Sequence, residues 1–413
     1  MRYLFMFVGL ALTMATSAQT TYGLRQGIIP WQQGLYLGGY DVLSNTWVYG
    51  DTLEYAEGFA LGSSTYDQWN DAYVFVGAPS SMGPLQWMSQ TIDGPHTTAT
   101  LTGNLHSIHH DMQNGSFYGL EGYALDSVFV DLGGGVGYWD TMNWGTRCVK
   151  IDASSGTVER TTVVEMPWLE GVVAGASCFD SDLHRFFIWG INNLGQGRLI
   201  TIDCAESTIL ANVQITTAAN LSEFEFNIAD STLIGLRAFT DAAGNADMDL
   251  VSVDPMTGTL TPQLDLPQVG SYTPDGTVFD QLNGLYVMHY YQGIGLNSRI
   301  LAVDAATWEV VADHALDGSF LELEMSNANF ATLRYGTVDV AEADPEGVRL
   351  EGGRWVNCGE GPLWVAQIDG NGRLVADGIW LAPGASLEVG SGWNVWSFTS
   401  TEGVRFTRKT FRP

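Results

Sequence analysis

The stretch VSVDPMTGTL, residues 251–260, places Asp254 between a β-branched run and a turn that contains Pro255 and Gly258. A single copy fits two roles, because the carboxylate could act as a catalytic acid or metal ligand, or it could end a strand. The same pattern of strand residues, aspartate and turn recurs along the chain. The aspartates that carry it are Asp41, Asp93, Asp152, Asp203, Asp254 and Asp304. The last four are 51, 51 and 50 residues apart, and this regularity predicts that Asp254 bonds the amides of a repeated tight turn.

A second motif alternates with the first and consists of an apolar or aromatic residue, then Asp or Asn, then a polar turn. A short apolar strand is predicted to follow this turn. The central residues of the motif are Asp67, Asp111, Asp180, Asn227, Asp280 and Asn327. Six copies of each motif define a repeat of about 50 residues with two turns in each copy.

The segments between these turns are short and rich in Val, Ile, Tyr and Phe, which predicts β-strands. No window shows a sustained 3.6-residue apolar period, so we expect little helix. About four strands in each repeat of roughly 50 residues are typical of a β-propeller, whose blades bury their faces against their neighbours. The count predicts an all-β, six-bladed propeller over residues 19–345; a seven-bladed propeller and a two-sheet sandwich stay open.

The order of the two motifs predicts how the ring closes. The motif at Asp41 precedes the first copy of the second motif, whereas the copy at Asn327 has no good partner after it. We therefore expect the segment around residues 35–49 to supply the outer strands of the blade that begins near Asn327. Strands from both ends of the propeller would then form one blade.

The N-terminal segment MRYLFMFVGLALTMATSAQ combines one arginine, a short apolar run and small residues. This order is typical of a secretory signal peptide, and residues 1–18 are predicted to be removed after Ala18. No later segment supplies about 18 to 20 uninterrupted apolar residues. The mature chain is therefore expected to have no transmembrane segment and to be soluble or attached to a surface from outside.

Cysteine usage agrees with an exported chain. Cys148, Cys178, Cys204 and Cys358 form an even set at wide spacing, and none of them belongs to a Cys-x-x-Cys pair. In an oxidising compartment such a set favours one or two structural disulfides over a zinc site. The pairing is not specified by the spacing.

Charge divides the chain into two parts. Residues 19–345 contain 39 acidic and 9 basic side chains, whereas residues 346–413 contain seven of each. The acidic body should repel nucleic acid and anionic lipid, although divalent cations could offset part of this repulsion. The change near residue 346 predicts a domain boundary, and the alternating apolar positions beyond it predict a small β-sandwich of six or seven strands.

Three short motifs lie within the predicted sandwich. IDGNGRLV contains Asp369, Gly372 and Arg373 in the order Asp-x-x-Gly-Arg-x-Val, GWNVWSF begins at Gly392, and the basic TRKTFRP contains Lys409. With these motifs the segment resembles the C-terminal sorting domain of the bacterial type IX secretion system, type A. It departs from that family because it lacks the Tyr-Pro-Asn-Pro opening and has a Trp-rich strand where the family has a tyrosine-centred one.

The resemblance covers the last 68 residues and implies a sorting signal rather than an active site. It implies passage across the inner membrane by the N-terminal signal, and then across the outer membrane by the tail and the secretion machinery. It also implies removal of the tail, followed by release or attachment to surface polysaccharide. The protein is therefore expected to be secreted or displayed at the cell surface.

The segment NLHSIHHDMQNG gathers His106, His109, His110 and Asp111, which are residue types that bind zinc or transfer protons. In a strand, His106 and His110 would share one face while His109 points to the other. The repeat also accounts for Asp111 as a turn residue. The histidines are candidate ligand-binding residues, with an ordinary strand as the alternative.

The segment TDAAGNADMDL places Asp241, Asn245, Asp247 and Asp249 close together. Their oxygen atoms are of the kind that calcium prefers. The order of an EF-hand loop and its distal glutamate are absent, so a solvated hairpin is the alternative. Calcium is the one cofactor that these residues suggest.

The repeat that ends at Asp152 is longer than the others, and the excess contains DLGGGVGYWDTMNWG. Tyr138, Trp139, Asp140 and Trp144 lie in this excess, among glycines. Long loops on a rigid scaffold often bind ligands, and aromatic rings can stack on sugar or peptide groups. The alternative is an aromatic hairpin that packs on its own blade.

Compact catalytic signatures such as Gly-x-Ser-x-Gly and His-Glu-x-x-His do not occur. The sequence therefore predicts an exported propeller that acts as a binding module for a glycan or protein ligand. The competing hypothesis is an extracellular polysaccharide hydrolase or lyase with carboxylates at the central channel. Convergence of several carboxylates or histidines at the channel would favour the enzyme.

Overall fold

The computed structural model describes residues 19–412, with gaps. The gaps are residues 27–34, 81–82, 93, 132–136, 216–219, 241–243, 245, 294–296, 336–347, 352–353, 358–362, 369–373, 389–391 and 401–404. The chain divides into two compact units. The first comprises residues 1–67, 71–110 and 117–326, and the second comprises residues 68–70, 111–116 and 327–413. The predicted signal peptide and Asp93 lie outside the described residues.

The described residues of the first unit form six four-stranded antiparallel sheets, so the predicted six-bladed propeller is confirmed. Blades I and II consist of β24 (Leu321–Met325), β1 (Thr21–Gln26), β2 (Leu35–Asp41) and β3 (Thr46–Leu53), and of β4 (Gly58–Asp67), β5 (Ala72–Ala78), β6 (Gln86–Thr91) and β7 (His96–Thr100). Blades III and IV consist of β8 (Leu105–His110), β9 (Phe117–Asp131), β10 (Gly137–Asp152) and β11 (Glu159–Met166), and of β12 (Leu169–Asp180), β13 (Arg185–Asn192), β14 (Gly197–Asp203) and β15 (Thr208–Gln214). Blades V and VI consist of β16 (Asn220–Asn227), β17 (Thr232–Thr240), β18 (Ala246–Val253) and β19 (Leu260–Asp265), and of β20 (Ser271–Asp280), β21 (Leu285–Gln292), β22 (Asn297–Asp304) and β23 (Glu309–Ala315).

Blade I closes the ring with strands from both ends of the propeller, as the motif order predicts. Its inner strand β24 pairs with β1, and β2 and β3 complete the sheet. The N-terminal part supplies three strands, including β1, which the repeat pattern did not reveal.

One part of the repeat prediction is wrong. The copy of the second motif at Asn327 does not lead into a strand, because Ala328–Tyr335 forms helix α1. The Asn327 carbonyl accepts a hydrogen bond from the Ala331 amide at 2.8 Å, which begins the helix. Blade I already has four strands, so no further strand is needed there.

In blades II to VI, the two sequence motifs mark two of the three turns between successive strands. The second motif ends an inner strand, and the first ends the third strand, so both sets of turns lie on the same face of the propeller. In blade V, Asp254 Oδ1 accepts hydrogen bonds from the Met256 and Thr257 amides at 2.8 and 3.1 Å. These bonds lower the pKa of Asp254. The aspartate of VSVDPMTGTL is a turn residue.

Apolar side chains from adjacent blades form the core. Between blades V and VI, for example, Ile234 and Leu236 pack in one buried cluster with Tyr286 and Met288. Neighbouring blades therefore bury each other's faces, which holds the inner strands in fixed positions around the propeller axis.

The described residues of the second unit form helix α1 and seven strands in two antiparallel sheets. The three-stranded sheet consists of β25 (Val348–Glu351), β26 (Arg354–Asn357) and β29 (Ser386–Glu388), and the four-stranded sheet of β27 (Leu363–Ile368), β28 (Leu374–Leu381), β30 (Gly392–Ser400) and β31 (Arg405–Arg412). Gly392 begins β30 and Lys409 lies in β31, whereas Asp369, Gly372 and Arg373 lie outside the described residues. The sandwich and its sorting role stay predictions. In the described part of the chain, no helix has the length and apolar character needed to cross a membrane.

The cysteines differ from the expectation of disulfides. Cys148, Cys178 and Cys204 are buried free thiols, and Cys358 lies outside the described residues. The Cys148 thiol is hydrogen-bonded to that of Cys204, and burial raises the pKa of Cys148 well above its usual value. Thiols in such an apolar setting are unreactive once the protein is folded.

Candidate functional site

Each inner strand carries one residue with left-handed backbone geometry at the same position. These residues are Gly62 (φ 72°), Ser107 (50°), Gly175 (71°), Glu223 (53°), Asp275 (60°) and Glu322 (56°). In every blade the pairing of the inner strand with its neighbour shifts register here, so the position is a β-bulge. We call these six residues the bulge ring.

The bulge ring has two chemically different halves. Blades II, III and IV supply Gly62, Ser107 and Gly175, the small half, whereas blades V, VI and I supply carboxylates, the acidic half. Left-handed geometry is strained in residues other than glycine, and such strain is common at functional sites. The four non-glycine residues of the bulge ring are therefore candidate functional residues.

Two carboxylates of the acidic half join adjacent blades. Glu322 accepts hydrogen bonds from the Gly62 and Ser63 amides at 2.7 and 3.0 Å. In the same way, Glu223 accepts from the Asp275 and Gly276 amides at 3.2 and 3.0 Å. Each carboxylate therefore bonds the backbone of the bulge in the next blade, and we call this contact a clasp.

The third acidic residue, Asp275, is hydrogen-bonded to Glu322. Burial raises the pKa of Asp275 to about 6 and holds the pKa values of Glu322 and Glu223 well above their usual range. A hydrogen bond between two carboxyl groups requires that they share a proton. The Asp275–Glu322 bond therefore forms only when at least one of the two carboxyl groups is protonated.

A second ring lies two residues further along each inner strand. It consists of three pairs that join adjacent blades: Ser64 Oγ donates to Glu324 Oε1 at 2.8 Å, His109 Nε2 lies 2.9 Å from Ser177 Oγ, and Thr277 Oγ1 donates to Glu225 Oε1 at 3.0 Å. Since all three pairs join blades in the same way, the fold itself explains the His109–Ser177 bond. Burial raises the pKa of Glu225 to about 8 and lowers that of His109 to about 3.

The two rings reveal a two-blade repeat within the propeller. Alternate blades carry similar stretches before the second motif, namely GSSTYD at 62–67, GASCFD at 175–180 and DGTVFD at 275–280. The blade that precedes each of these supplies the clasping acid or histidine. Sequence reasoning missed Glu223, Glu225, Asp275, Glu322 and Glu324 because it compared every blade with the next one, and comparison of alternate blades would have found them.

A cavity of about 300 Å³ lies where the inner strands of blades II, III and IV begin, on the face opposite the aspartate turns. We call it the mouth cavity. Gly62 and Ala174 line it, together with the polar residues Asn104, His106 and Ser107. It lies on the side of the small half, and its described lining contains no Asp or Glu.

The three predicted histidines occupy three different places. His106 lines the mouth cavity, with Nδ1 3.1 Å from Ser107 Oγ, and burial lowers the pKa of His106 to about 4. His109 belongs to the second ring, whereas His110 is buried with Nε2 3.5 Å from Asp67 Oδ1. The histidines do not converge, so they form no common site.

The predicted aromatic loop belongs to the long hairpin of β9 and β10. Tyr138, Trp139 and Asp140 lie in β10, opposite residues 128–130 of β9, and Trp144 is 52% exposed. The turn of this hairpin lies outside the described residues. Ligand binding by the hairpin stays a prediction.

The predicted calcium ligands are only partly described. Asp241 and Asn245 lie outside the described residues, and Asp247 Oδ1 accepts a bond from the Met248 amide at 2.9 Å. Asp249 is buried, and both of its carboxylate oxygens bond to Arg237, with Oδ1 2.8 Å from Nε. Among the described residues no cluster of three or more His, Cys, Asp or Glu could hold a metal ion. Calcium binding stays a prediction.

Neither a protein-family model nor a curated protein matches the chain. Among solved structures, the chain is similar to a chain of a nidogen/laminin complex, with 10% identity and a TM-score of 0.46 over 75% of this chain and 98% of that one. It is also similar to the β-propeller domain of the trilobed protease from Pyrococcus furiosus, with 9% identity and a TM-score of 0.37 over 86% of this chain and 94% of that one. A gluconolactonase from Xanthomonas campestris shows 10% identity and a TM-score of 0.42 over 73% of this chain and 88% of that one.

Proposed function

We propose that the protein is an exported binding module that takes its ligand in the mouth cavity. The observation that carries this proposal is the cavity itself, a concave space with three polar side chains beside the propeller axis. Such a concave site with a few converging polar groups is the usual form of a ligand pocket.

The inner strands support a site at the mouth rather than a passage through the propeller. Strands β4, β12 and β20, from alternate blades, contact one another across the axis. A Cβ atom added at Gly62 would lie 3.5 Å from Ala174 Cβ, which is ordinary van der Waals contact. The cavity therefore has a floor, and a ligand would enter and leave on one face.

Gly171 offers a direct test. It lines the cavity, and a Cβ atom added there meets nothing within 4 Å. Gly171→Leu should therefore fill the cavity without loss of stability. Gly50→Leu is the matched control, since Gly50 also has open space around it and lies in β3, the outer strand of blade I.

The probe is a printed array of soluble oligosaccharides and peptides, and each hit is titrated by calorimetry. We expect Gly171→Leu to abolish binding of the hits, while Gly50→Leu binds like the original protein. Hits that survive Gly171→Leu would place the ligand elsewhere, for instance on the hairpin that carries Trp144. An array without hits would contradict the binding proposal.

An acid–base enzyme acting on polysaccharide is the second candidate. Glu225 and Asp275 are partly exposed, and their pKa values are raised to about 8 and about 6. Carboxyl groups with such pKa values can donate or accept protons near neutral pH. Release of reducing ends or unsaturated products from a polysaccharide panel, lost in Glu225→Gln and Asp275→Asn, would favour this candidate; no turnover by the original protein would remove it.

We also propose that the N-terminal signal and the C-terminal tail deliver the propeller to the cell surface or the medium. The proposal rests on the sequence of residues 1–18 and on the motifs in residues 346–413. Deletion of residues 346–413 should retain the propeller in the periplasm, as measured by cell fractionation and surface proteolysis. Normal surface delivery of the shortened chain would contradict it.

A further inference from the structure

We infer that the mouth cavity takes a neutral, hydroxyl-rich molecule of monosaccharide size, or one such unit at the end of a glycan, and that Ser107 selects it. The inference rests on the proposed binding function and adds the chemical class of the ligand. Three features of the described residues support it: the charge of the lining, its hydrogen-bonding groups and the backbone strain at Ser107.

The lining of the cavity carries no acidic side chain and no lysine or arginine among the described residues. His106 is the one titratable group there, and burial keeps its imidazole neutral near neutral pH because its pKa is lowered to about 4. An anionic ligand would therefore meet no cation, and the acidic body of the protein would repel it. A cationic ligand would find no carboxylate in the lining.

The uncharged groups of the lining suit a sugar. The Asn104 amide can both donate and accept hydrogen bonds, and so can the Ser107 hydroxyl. Leu61 and Val172 supply apolar surface for the C–H face of a ring. A volume of about 300 Å³ lies at the small end of the range for ligand pockets.

Among the described non-glycine residues of the bulge ring, Ser107 is the one whose side-chain hydrogen bond stays within its own blade, whereas Glu223, Glu322 and Asp275 bond to other blades. Blades II and IV place glycine at the equivalent position, which avoids the strain. In the acidic half, Glu223 and Glu322 compensate for it by clasping the next blade. Ser107 instead lines the cavity, and its hydroxyl lies 3.1 Å from His106 Nδ1 in its own blade. Strained residues that do not stabilise the fold are candidates for function.

Titration calorimetry tests the class of ligand with three groups of probes: neutral monosaccharides such as glucose, galactose, mannose and xylose, the sugar acid glucuronate, and glucose 6-phosphate. We expect at least one neutral sugar to bind and the two anionic sugars to bind more weakly or not at all. Preferential binding of an anionic sugar would overturn the inference. Absence of binding by every neutral sugar, free or at the end of an arrayed glycan, would overturn it as well.

Two substitutions of Ser107 test its role. Ser107→Ala and Ser107→Gly should each weaken binding of the neutral sugar on the order of tenfold, because one hydrogen bond is lost. Ser107→Gly also relieves the left-handed strain, so its midpoint of urea unfolding should be equal to or above that of the original protein. Unchanged affinity in both variants would remove Ser107 from the inference.

The Gly171→Leu variant separates failure of this inference from failure of the proposed function. If an anionic or apolar compound binds and Gly171→Leu abolishes its binding, the mouth cavity is the site and the inferred class is wrong. If no compound depends on Gly171, the proposed function fails together with the inference.

Discussion

The two halves of the bulge ring share one backbone geometry and differ in what it does. In the acidic half, the left-handed position carries carboxylates, and two of them bond the amides of the next blade. In the small half, the same position carries glycine or serine, and a cavity lies beside it. A repeated structural feature therefore stabilises one side of the propeller and leaves space for a ligand on the other.

The difference also shows how space near the axis is divided. A Cβ atom added at Gly175 would lie 2.6 Å from Glu223 Oε1 and from the Asp275 amide nitrogen. Carboxylates at all six positions would therefore not fit, because the inner strands approach too closely. Small residues on one side allow the acids on the other, and the cavity results from this asymmetry.

The largest expected effect comes from removing a clasp. Glu322→Ala leaves the buried amides of Gly62 and Ser63 without their acceptor and should lower the free energy of unfolding by about 3 kcal/mol. Glu223→Ala should act similarly in blade V. Ser107→Ala, in the small half, removes one hydrogen bond to His106 and should lower it by only about 1 kcal/mol. Urea denaturation measures all three, and equal losses would show that the two halves do not differ in this way.

The buried acids of blades V and VI and the buried histidines of blade III should also respond differently to pH. Glu225 and Asp275 have pKa values of about 8 and about 6 in the folded protein, above the ordinary values of 4.5 and 3.8. The folded state holds these protons more tightly than the unfolded state, so stability should fall as pH rises from about 4 to about 8, on the order of a few kcal/mol. Glu225→Gln, measured by urea unfolding at several pH values, should flatten this decline.

The histidines of blade III should act in the opposite direction. Burial lowers the pKa values of His106 and His109 to about 4 and about 3, below the ordinary value of 6.5. The unfolded state binds these protons more readily, so this contribution to stability is lost as pH falls from about 6.5 to about 3. His109→Gln should reduce the loss at low pH and leave the decline at high pH unchanged. If Glu225→Gln and His109→Gln changed the pH dependence of the unfolding free energy in the same way, the assignment of the decline at high pH to the acids and of the loss at low pH to the histidines would be wrong.

A smaller effect is expected outside both halves, at the turn of blade V. Asp254→Ala removes the acceptor of two exposed turn amides and should cost about 1 kcal/mol. Ligand binding should stay unchanged, because this turn lies on the face opposite the mouth cavity. Thermal or urea unfolding together with the calorimetric titration checks both statements. Loss of binding at full stability would give Asp254 a functional role after all.

The sequence was sufficient to predict the six-bladed architecture because two of the turns in the repeat favour Asp or Asn. Asp254 and its equivalents are visible as a period, and their count and order led to six blades and to closure by N-terminal strands. Strand β1 was not predicted, since neither motif follows it. The helix after Asn327 was not predicted either. The motif is defined by turn residues, and these contain no information on how many strands the blade already has.

The candidate site was much less visible. Glu223 and Glu322 lie 99 residues apart and meet their partners across blades, so no local spacing brings them together. The bulge turns them toward the next blade, and a bulge has no residue signature of its own when glycine, serine, aspartate and glutamate all occupy it. The three histidines were predicted together from NLHSIHHDMQNG, and only the structure separates His106, which lines the cavity, from His109 and His110.

Blade I has a consequence for the order in which the propeller can form. Thr21 and Met325, which contact each other across β1 and β24, are separated by 304 positions. As the chain is synthesised from its N-terminus, β1, β2 and β3 therefore appear with the inner edge of β1 unpaired until the residues of β24 have followed. An unpaired strand edge can pair with other chains, and contacts between such distant residues form slowly. Until β24 has been synthesised and pairs with β1, the free edge of β1 must be prevented from pairing with strands of other chains.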